Sequence, residues 1–246
     1  MKKKFFVIAT VTAMVFMSCS KEAIQEPQAN APEEIATARG GGSLVNTLSK
    51  GLVGRFEFDG NLNDMTQQLA AGSSYIGKPV YATDRKGVRS SAINFDGTFG
   101  VNLAGVPLDS NSSVSFWMRS GTTITDYYIG FVEGQRSFSF LQRENNKFQG
   151  AFFSTSTPTY IVSNPLFNTW HHMAATRDNQ TYKFYIDGKL VGSRSAGPVD
   201  TVLSVHEFWL GWTYNSGVKF WKGQLDDLRI YGRVLNSSEV ATLATY

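Results

Sequence analysis

Cysteine occurs once in the 246 residues, at Cys19. No disulfide can therefore form within the chain, and a cysteine-built metal site is excluded. Histidine is almost as scarce, with His171, His172 and His206. Neighbours on an extended strand point to opposite faces, so His171 and His172 behind Trp170 cannot jointly hold one metal, and packing is the better reading of both. His206, just before "EFWLGW", has no visible catalytic partner. Charge is sparse too: six Lys/Arg and four Asp/Glu precede residue 51, leaving seventeen against sixteen for the remainder. A nearly neutral domain without a clustered basic stripe is not built to neutralise phosphates, so no nucleic-acid partner is expected. No Gly-x-Ser-x-Gly elbow, phosphate-cradling loop or dinucleotide fingerprint appears. Nor does any apolar run reach the roughly 20 residues needed to span a bilayer.

What is present begins with "MKKKFFVIATVTAMVFMSCS", a cationic head followed by an apolar run from Phe5 to Met17. This is the pattern of a secretory signal. Phe16-Met17-Ser18-Cys19 resembles a bacterial lipobox, with Phe in place of the usual Leu. The resemblance implies cleavage after residue 18, lipidation of Cys19 and anchoring to a membrane through acyl chains. The alternative is a lone thiol in a signal cleaved elsewhere. Residues 19–46 are polar, with two prolines and a triple glycine, and lack helical or strand periodicity, so they read as a flexible tether. Their start, Ser20-Lys21-Glu22, resembles the short charged signals by which Bacteroides-group lipoproteins reach the outer surface of the outer membrane.

Residues 47–246 are expected to form one domain, with apolar and polar residues alternating between Gly, Asp and Asn breaks. In "SVSFWMRS", Val114, Phe116 and Met118 share one face, and Ser115, Trp117 and Arg119 the other. "TYKFYIDGKLVGS" places Tyr182, Phe184 and Ile186 together, and Asp187-Gly188 predicts a type I′ hairpin. About ten such strands imply an all-β, two-sheet antiparallel sandwich. The one helical signal is "LNSSEVATL", where Asn236 caps and Glu239 completes a capping box.

"LVGRFEFDGNLND", "AINFDG", "SVSFWMRS", "TWHHMAATRDNQTYKFYIDGKLVGS" and "KGQLDDLRIYGRVLNSSEV", in that order, resemble the laminin G-like, concanavalin A-like jelly-roll domains. The resemblance covers about residues 51 to 243 and implies the fold. It leaves the activity open, because lectins, adhesion modules, polysaccharide-cleaving enzymes and spacers share that fold.

The adjacent Asp226 and Asp227 are the chemically conspicuous pair. On a regular strand Asp226 shares the core-facing side with Leu228 and Ile230, while Asp227 points outward beside Arg229, so the two carboxylates do not converge. Glycoside hydrolysis from this pair is not expected, since it needs two carboxyl groups on one face. A core-facing Asp226 needs hydrogen bonds, an Arg or a cation. The resembling domains often bind calcium at the sandwich edge, which would draw on Asp59, Asn61 and Asp64 of "FDGNLND" together with Asp226, hard oxygen ligands that suit that ion.

Sugar sites combine aromatic platforms with amides, carboxylates or Arg. Two stretches carry that mixture: Trp212, Tyr214 and Asn215, and Tyr127, Tyr128 and Arg136. Most aromatics of a sandwich pack its core, so each of these is weighed against that role. The expectation is a surface-anchored lipoprotein binding a glycan without catalysis. A structural or adhesion module binding an extracellular protein is the alternative, and a polysaccharide-cleaving enzyme the third.

Overall fold

Period-two alternation builds the sheets. The computed structural model describes residues 47–108, 111–121, 127–132, 138–142, 147–153, 158–165, 168–178, 180–195, 206–214 and 217–246. The signal, the tether and Cys19 lie outside the described residues. The strands are β1 (Leu52–Phe56), β2 (Ser73–Tyr75), β3 (Tyr81–Ala82), β4 (Ala92–Asp96), β5 (Gly100–Val106), β6 (Ser112–Ser120), β7 (Tyr127–Val132), β8 (Phe138–Gln142) and β9 (Lys147–Phe153). They continue with β10 (Pro158–Pro165), β11 (Trp170–Arg177), β12 (Thr181–Ile186), β13 (Lys189–Ser195), β14 (His206–Leu210), β15 (Trp212–Tyr214), β16 (Val218–Phe220) and β17 (Lys222–Tyr231). Helix α1 (Ser237–Leu243) follows.

The first sheet runs β13-β12-β11-β6-β17-β4-β3, with β1 also paired to β17, and the second runs β10-β9-β8-β7-β14-β5-β2. All their pairings are antiparallel. The inner faces meet in one apolar cluster that takes Val114, Phe116, Met118 and Phe184 from the first sheet and Val101, Leu103, Phe140 and Phe208 from the second. Phe116 meets Phe140 edge-on at 4.7 Å across the two layers. Such a pair adds roughly 0.5–1.5 kcal/mol to the area it buries. This is the two-sheet antiparallel sandwich that the alternation implies and the jelly roll that the resemblance implies.

Local sequence fixes two junctions as expected. Asp187 (φ 50) and Gly188 (φ 74) both take positive φ, turning β12 into β13 as a type I′ hairpin. At α1 the Asn236 side chain accepts from the Glu239 N–H at 2.9 Å, and the Glu239 carboxylate accepts from the Asn236 N–H at 3.0 Å. The helix then sets Val240 and Leu243 against Ala174, Tyr185 and Tyr231 on the outer face of the first sheet.

One departure from regular strand geometry matters for everything below. Strand β17 pairs along one edge with β6, while its other edge is divided: Lys222–Leu225 pair with β4, and Leu228–Tyr231 with β1. At the gap the register slips, since Asp226 opposes Trp117 but Arg229 opposes Ser115. The extra residue is accommodated by Asp227 at φ 47, a left-handed conformation that Asp tolerates better than most residues. The bulge corrects the expected facing. Leu225, Leu228 and Ile230 enter the core cluster, so Asp226 does not; it stands on the outer side with Asp227 and Arg229.

Candidate functional site

The bulge opens a notch between β4 and β1, and an arginine fills it. The Asp84 carboxylate accepts from the Lys86 N–H at 2.9 Å and the Val88 N–H at 2.7 Å, closing a tight turn that presents Arg85. The Arg85 guanidinium pairs with Asp226 through Nη1 and approaches Asp227 Oδ2 at 3.6 Å through Nη2. It lies 4.8 Å from the centre of the Trp117 ring and donates to the Tyr246 carbonyl at 2.9 Å. Asp227 in turn receives both arms of Arg229, each at 3.0 Å, with Arg55 3.7 Å away. The carboxylates thus converge, contrary to the regular-strand expectation, because the bulge places both outward. The Asp227–Arg229 pair is also largely buried, at 11% and 10% side-chain exposure, and is not a solvated surface contact.

Their environments separate their acidities. Burial pushes the Asp226 carboxyl up to about 7, against the pull of Arg85. Burial pushes Asp227 up as well, but there the Arg229 hydrogen bonds and charge prevail and hold it below the usual carboxylate range.

The expected calcium ligands do not fit one ion. Asp64 accepts hydrogen bonds from the backbone N–H groups of Arg55, Thr66, Gln68 and Leu69 and from the Thr66 hydroxyl, at 2.6–3.0 Å. Both its oxygens are consumed in shaping its own loop. Although burial pushes the Asp64 carboxyl up, these bonds outweigh it and keep the group below its ordinary value. Asn61 is spent locally, accepting from the Asn63 N–H and donating to the Asp59 carbonyl, both at 2.8 Å. Asp59 and Asp226 do line one small cavity of about 110 Å³ together with Glu57, Asp84 and Asp227, and Arg55, Arg85 and Lys86 stand among these carboxylates. No group of three or more His, Cys, Asp or Glu side chains poised for a metal occurs among the described residues.

The expected aromatic platform divides in the same way. Trp212 is 4% exposed, with Tyr75 stacked on its ring at 3.6 Å and Trp209 at 4.4 Å. Two near-parallel rings that close to one centroid must lie on opposite faces, so the Trp212 indole has neither face left for a sugar. It sits on Gly100, where any Cβ would lie 2.1 Å from the ring, and donates from Nε1 to Asn102 at 2.8 Å. Tyr214, by contrast, is 68% exposed. Asn215 and Arg136 lie outside the described residues; Tyr127 and Tyr128 begin β7, and only their backbone is described.

The histidines alternate as expected. His172 is buried on the outer side of β11, with Nε2 2.9 Å from the Ser115 hydroxyl, and burial pushes its pKa down to about 4. His171 has Thr169 at 2.7 Å on Nε2 and Asp187 at 2.8 Å on Nδ1. Through His171 and the His172 N–H, Asp187 thus ties the β12–β13 turn to β11.

A groove that the motif reading did not single out gathers more polar chemistry. Because Phe95, Met118 and Leu225 face inward, Asn94, Arg119 and Gln224 face outward, and register places them in one row across β4, β17 and β6. With Asp96, Asn168 and Lys222, and with Gly121 and Gly223, they line a cavity of about 320 Å³. Arg119 donates to the Asn168 side-chain oxygen from Nε at 3.1 Å and from Nη2 at 2.7 Å. The Gln224 side-chain oxygen is buried without a hydrogen-bond partner. Alternation in "SVSFWMRS" already turned Arg119 outward; its neighbours depend on cross-strand register, which no local pattern carries.

A sequence model described as the concanavalin A-like lectin/glucanases superfamily matches residues 95–241. The chain belongs to that superfamily. Solved structures agree on this lectin/glucanase fold. Domain 4 of AbnA, an extracellular GH43 arabinanase from Geobacillus stearothermophilus, in complex with arabinotriose, superposes with a TM-score of 0.67 at 24% identity, over 78% of this chain and 98% of that one. A botulinum neurotoxin type C structure, whose cell entry depends on interaction with two ganglioside molecules, gives 0.66 at 13% identity over 82% of this chain and 52% of that one. The binding domain of botulinum neurotoxin DC in complex with SialylT gives 0.62 at 14% identity, over 79% and 51%. The lectin/glucanase domain here thus spans about half of the toxin chains and nearly all of the arabinanase domain. No protein of curated function matches the sequence.

Proposed function

We propose that the protein is a lipoprotein anchored through Cys19 to the outer membrane and displayed at the surface, whose sandwich binds an extracellular carbohydrate without transforming it. The carrying observation is the groove in which the amides of Asn94, Asn168 and Gln224 meet the Arg119 guanidinium around about 320 Å³. Planar amides and a guanidinium are donors and acceptors for sugar hydroxyls, and the volume lies within the roughly 300–1,000 Å³ of small-molecule sites. Superfamily membership and neighbours solved with arabinotriose or SialylT support the same ligand class.

Catalysis is disfavoured by the same geometry. Among the described residues Asp96 is the single carboxylate lining the groove, whereas glycoside hydrolysis uses two, about 5–5.5 Å apart for retention and about 6.5–9.5 Å for inversion. Asp226 and Asp227 do show the split acidities of an acid and a base. Yet Arg229 holds both Asp227 oxygens, Arg85 stands against Asp226, and the adjoining cavity of about 110 Å³ falls below the size of a ligand site. Residues 43–246, produced without the anchor, should retain polysaccharides in affinity electrophoresis and leave them uncleaved. Reducing ends released from a retained polysaccharide would replace this reading with an enzyme. In the full chain, Cys19→Ser should abolish incorporation of labelled fatty acid and release the protein from the membrane.

A further inference from the structure

We infer that the groove across β4, β17 and β6 recognises a carboxylate-bearing sugar unit, such as a uronic acid. This rests on the carbohydrate reading above and narrows its ligand class. Arg119 is preorganised: Asn168 holds the Nε and Nη2 side of the guanidinium, leaving Nη1 without a partner among the described residues. A planar fork fixed on one side presents its remaining donors in a defined direction, the arrangement that favours carboxylate over a lone hydroxyl. Lys222 supplies a second cation. It stands opposite Asp96 in the β17–β4 register, and its aliphatic stem lies over Gly97, where a Cβ would come within 2.5 Å of Lys222 Cε. Asp96 itself is turned to its own loop, accepting from the Thr98 N–H at 2.9 Å and the Thr98 hydroxyl at 2.6 Å. Among the described residues the lining therefore offers two cations against one carboxylate, held through Oδ1 by Thr98, beside three neutral amides suited to hydroxyl groups. A phosphate-tracking surface would be broader and more basic. A volume of about 320 Å³ accommodates about one sugar unit at a time.

Gly121 makes the idea testable without attacking the core. Its φ lies outside the left-handed region, and the nearest atoms a Cβ would meet are 3.8 and 3.9 Å away, so a larger side chain is tolerated there and fills the groove. Residues 43–246 would be assayed against polygalacturonate and against neutral arabinan and galactan, with free galacturonate, free galactose and polyglutamate as competitors. Variants are Arg119→Gln, Lys222→Gln, Gly121→Phe and, outside the groove lining, Tyr214→Ala, each checked for an unchanged melting transition. Binding of polygalacturonate is expected to be competed by galacturonate and not by galactose or polyglutamate. It should weaken at least about tenfold in Arg119→Gln, severalfold in Lys222→Gln, and vanish in Gly121→Phe. Binding of neutral polysaccharide only, indifferent to the groove variants, overturns this inference and leaves the carbohydrate reading standing. Equal competition by polyglutamate overturns it as mere charge attraction. Retention of no polysaccharide overturns both.

Discussion

Asp227 grips Arg229 through two parallel hydrogen bonds of 3.0 Å, two residues apart on a strand whose bulge turns both side chains outward into a largely buried notch. Removing one partner strands the other. Asp227→Asn keeps a residue tolerant of positive φ but deprives Arg229 of its counter-charge, so unfolding in urea should come about 3 kcal/mol earlier. A loss below about 0.5 kcal/mol would show that water reaches Arg229 and that the pair is ordinary surface chemistry.

Asp226 carries a pH prediction. Its folded pKa, about 7, lies above the reference of 3.8, so the protonated form is favoured by folding. Its contribution is fully present below the reference value and is lost as pH rises towards 7. The melting temperature of Asp226→Asn relative to the parent should therefore increase between pH 4 and pH 7. If the difference instead falls across that window, the attraction of Arg85 outweighs burial.

His172 is pushed the other way, to about 4, by burial. Its neutral form is favoured by folding, so stability is present above the unfolded value of 6.5 and lost as pH falls to 4. Two and a half pKa units correspond to roughly 3 kcal/mol. His172→Gln should flatten that acid limb, measured by urea midpoints at pH 7 and pH 4.5; equal slopes in variant and parent would refute the assignment.

Calcium offers a direct check on the notch. With the Asp64 oxygens engaged by its own loop and Asp226 facing Arg85, millimolar calcium should leave the melting temperature unchanged, and chelator should leave polysaccharide binding unchanged. A rise in melting temperature that depends on calcium concentration would refute this reading and return these carboxylates as candidate ligands.

At the β12–β13 turn, Asp187 accepts from the His172 N–H at 2.9 Å and pairs with His171 at 2.8 Å, while itself at φ 50. Asp187→Asn preserves the turn and loses charge; Asp187→Ala loses both turn preference and acceptor. Alanine should cost about 1 kcal/mol more than asparagine in a denaturation series. Equal costs would mean that the turn does not depend on side-chain identity.

The sandwich was legible in the sequence because its evidence is local. Alternation in "SVSFWMRS" put Val114, Phe116 and Met118 inward, Asp187-Gly188 carried the hairpin, and Asn236 with Glu239 carried the cap. The site was not, and the reason is register. A single bulge at Asp227 reversed the facing of Asp226, and nothing in "QLDDLRIY" announces which of its residues is the extra one. Arg85 lies 141 residues from Asp226, and Asn168 49 from Arg119, so their meeting is a property of strand order. Trp212 shows the converse limit: its neighbours suggested an open platform, and only Tyr75, in a short strand distant in sequence, revealed both faces as covered.

Strand β17 lies between β6 on one side and both β4 and β1 on the other, with Leu52 paired to Tyr231. A nascent chain therefore cannot close its first sheet until β17 has emerged. Non-local closure of this kind is slow, because the entropy of closing long loops is lost before the paired strands reward it. The same delay leaves β1, β4 and β6 with bare edges in any prematurely ended product, primed to pair with a neighbouring molecule.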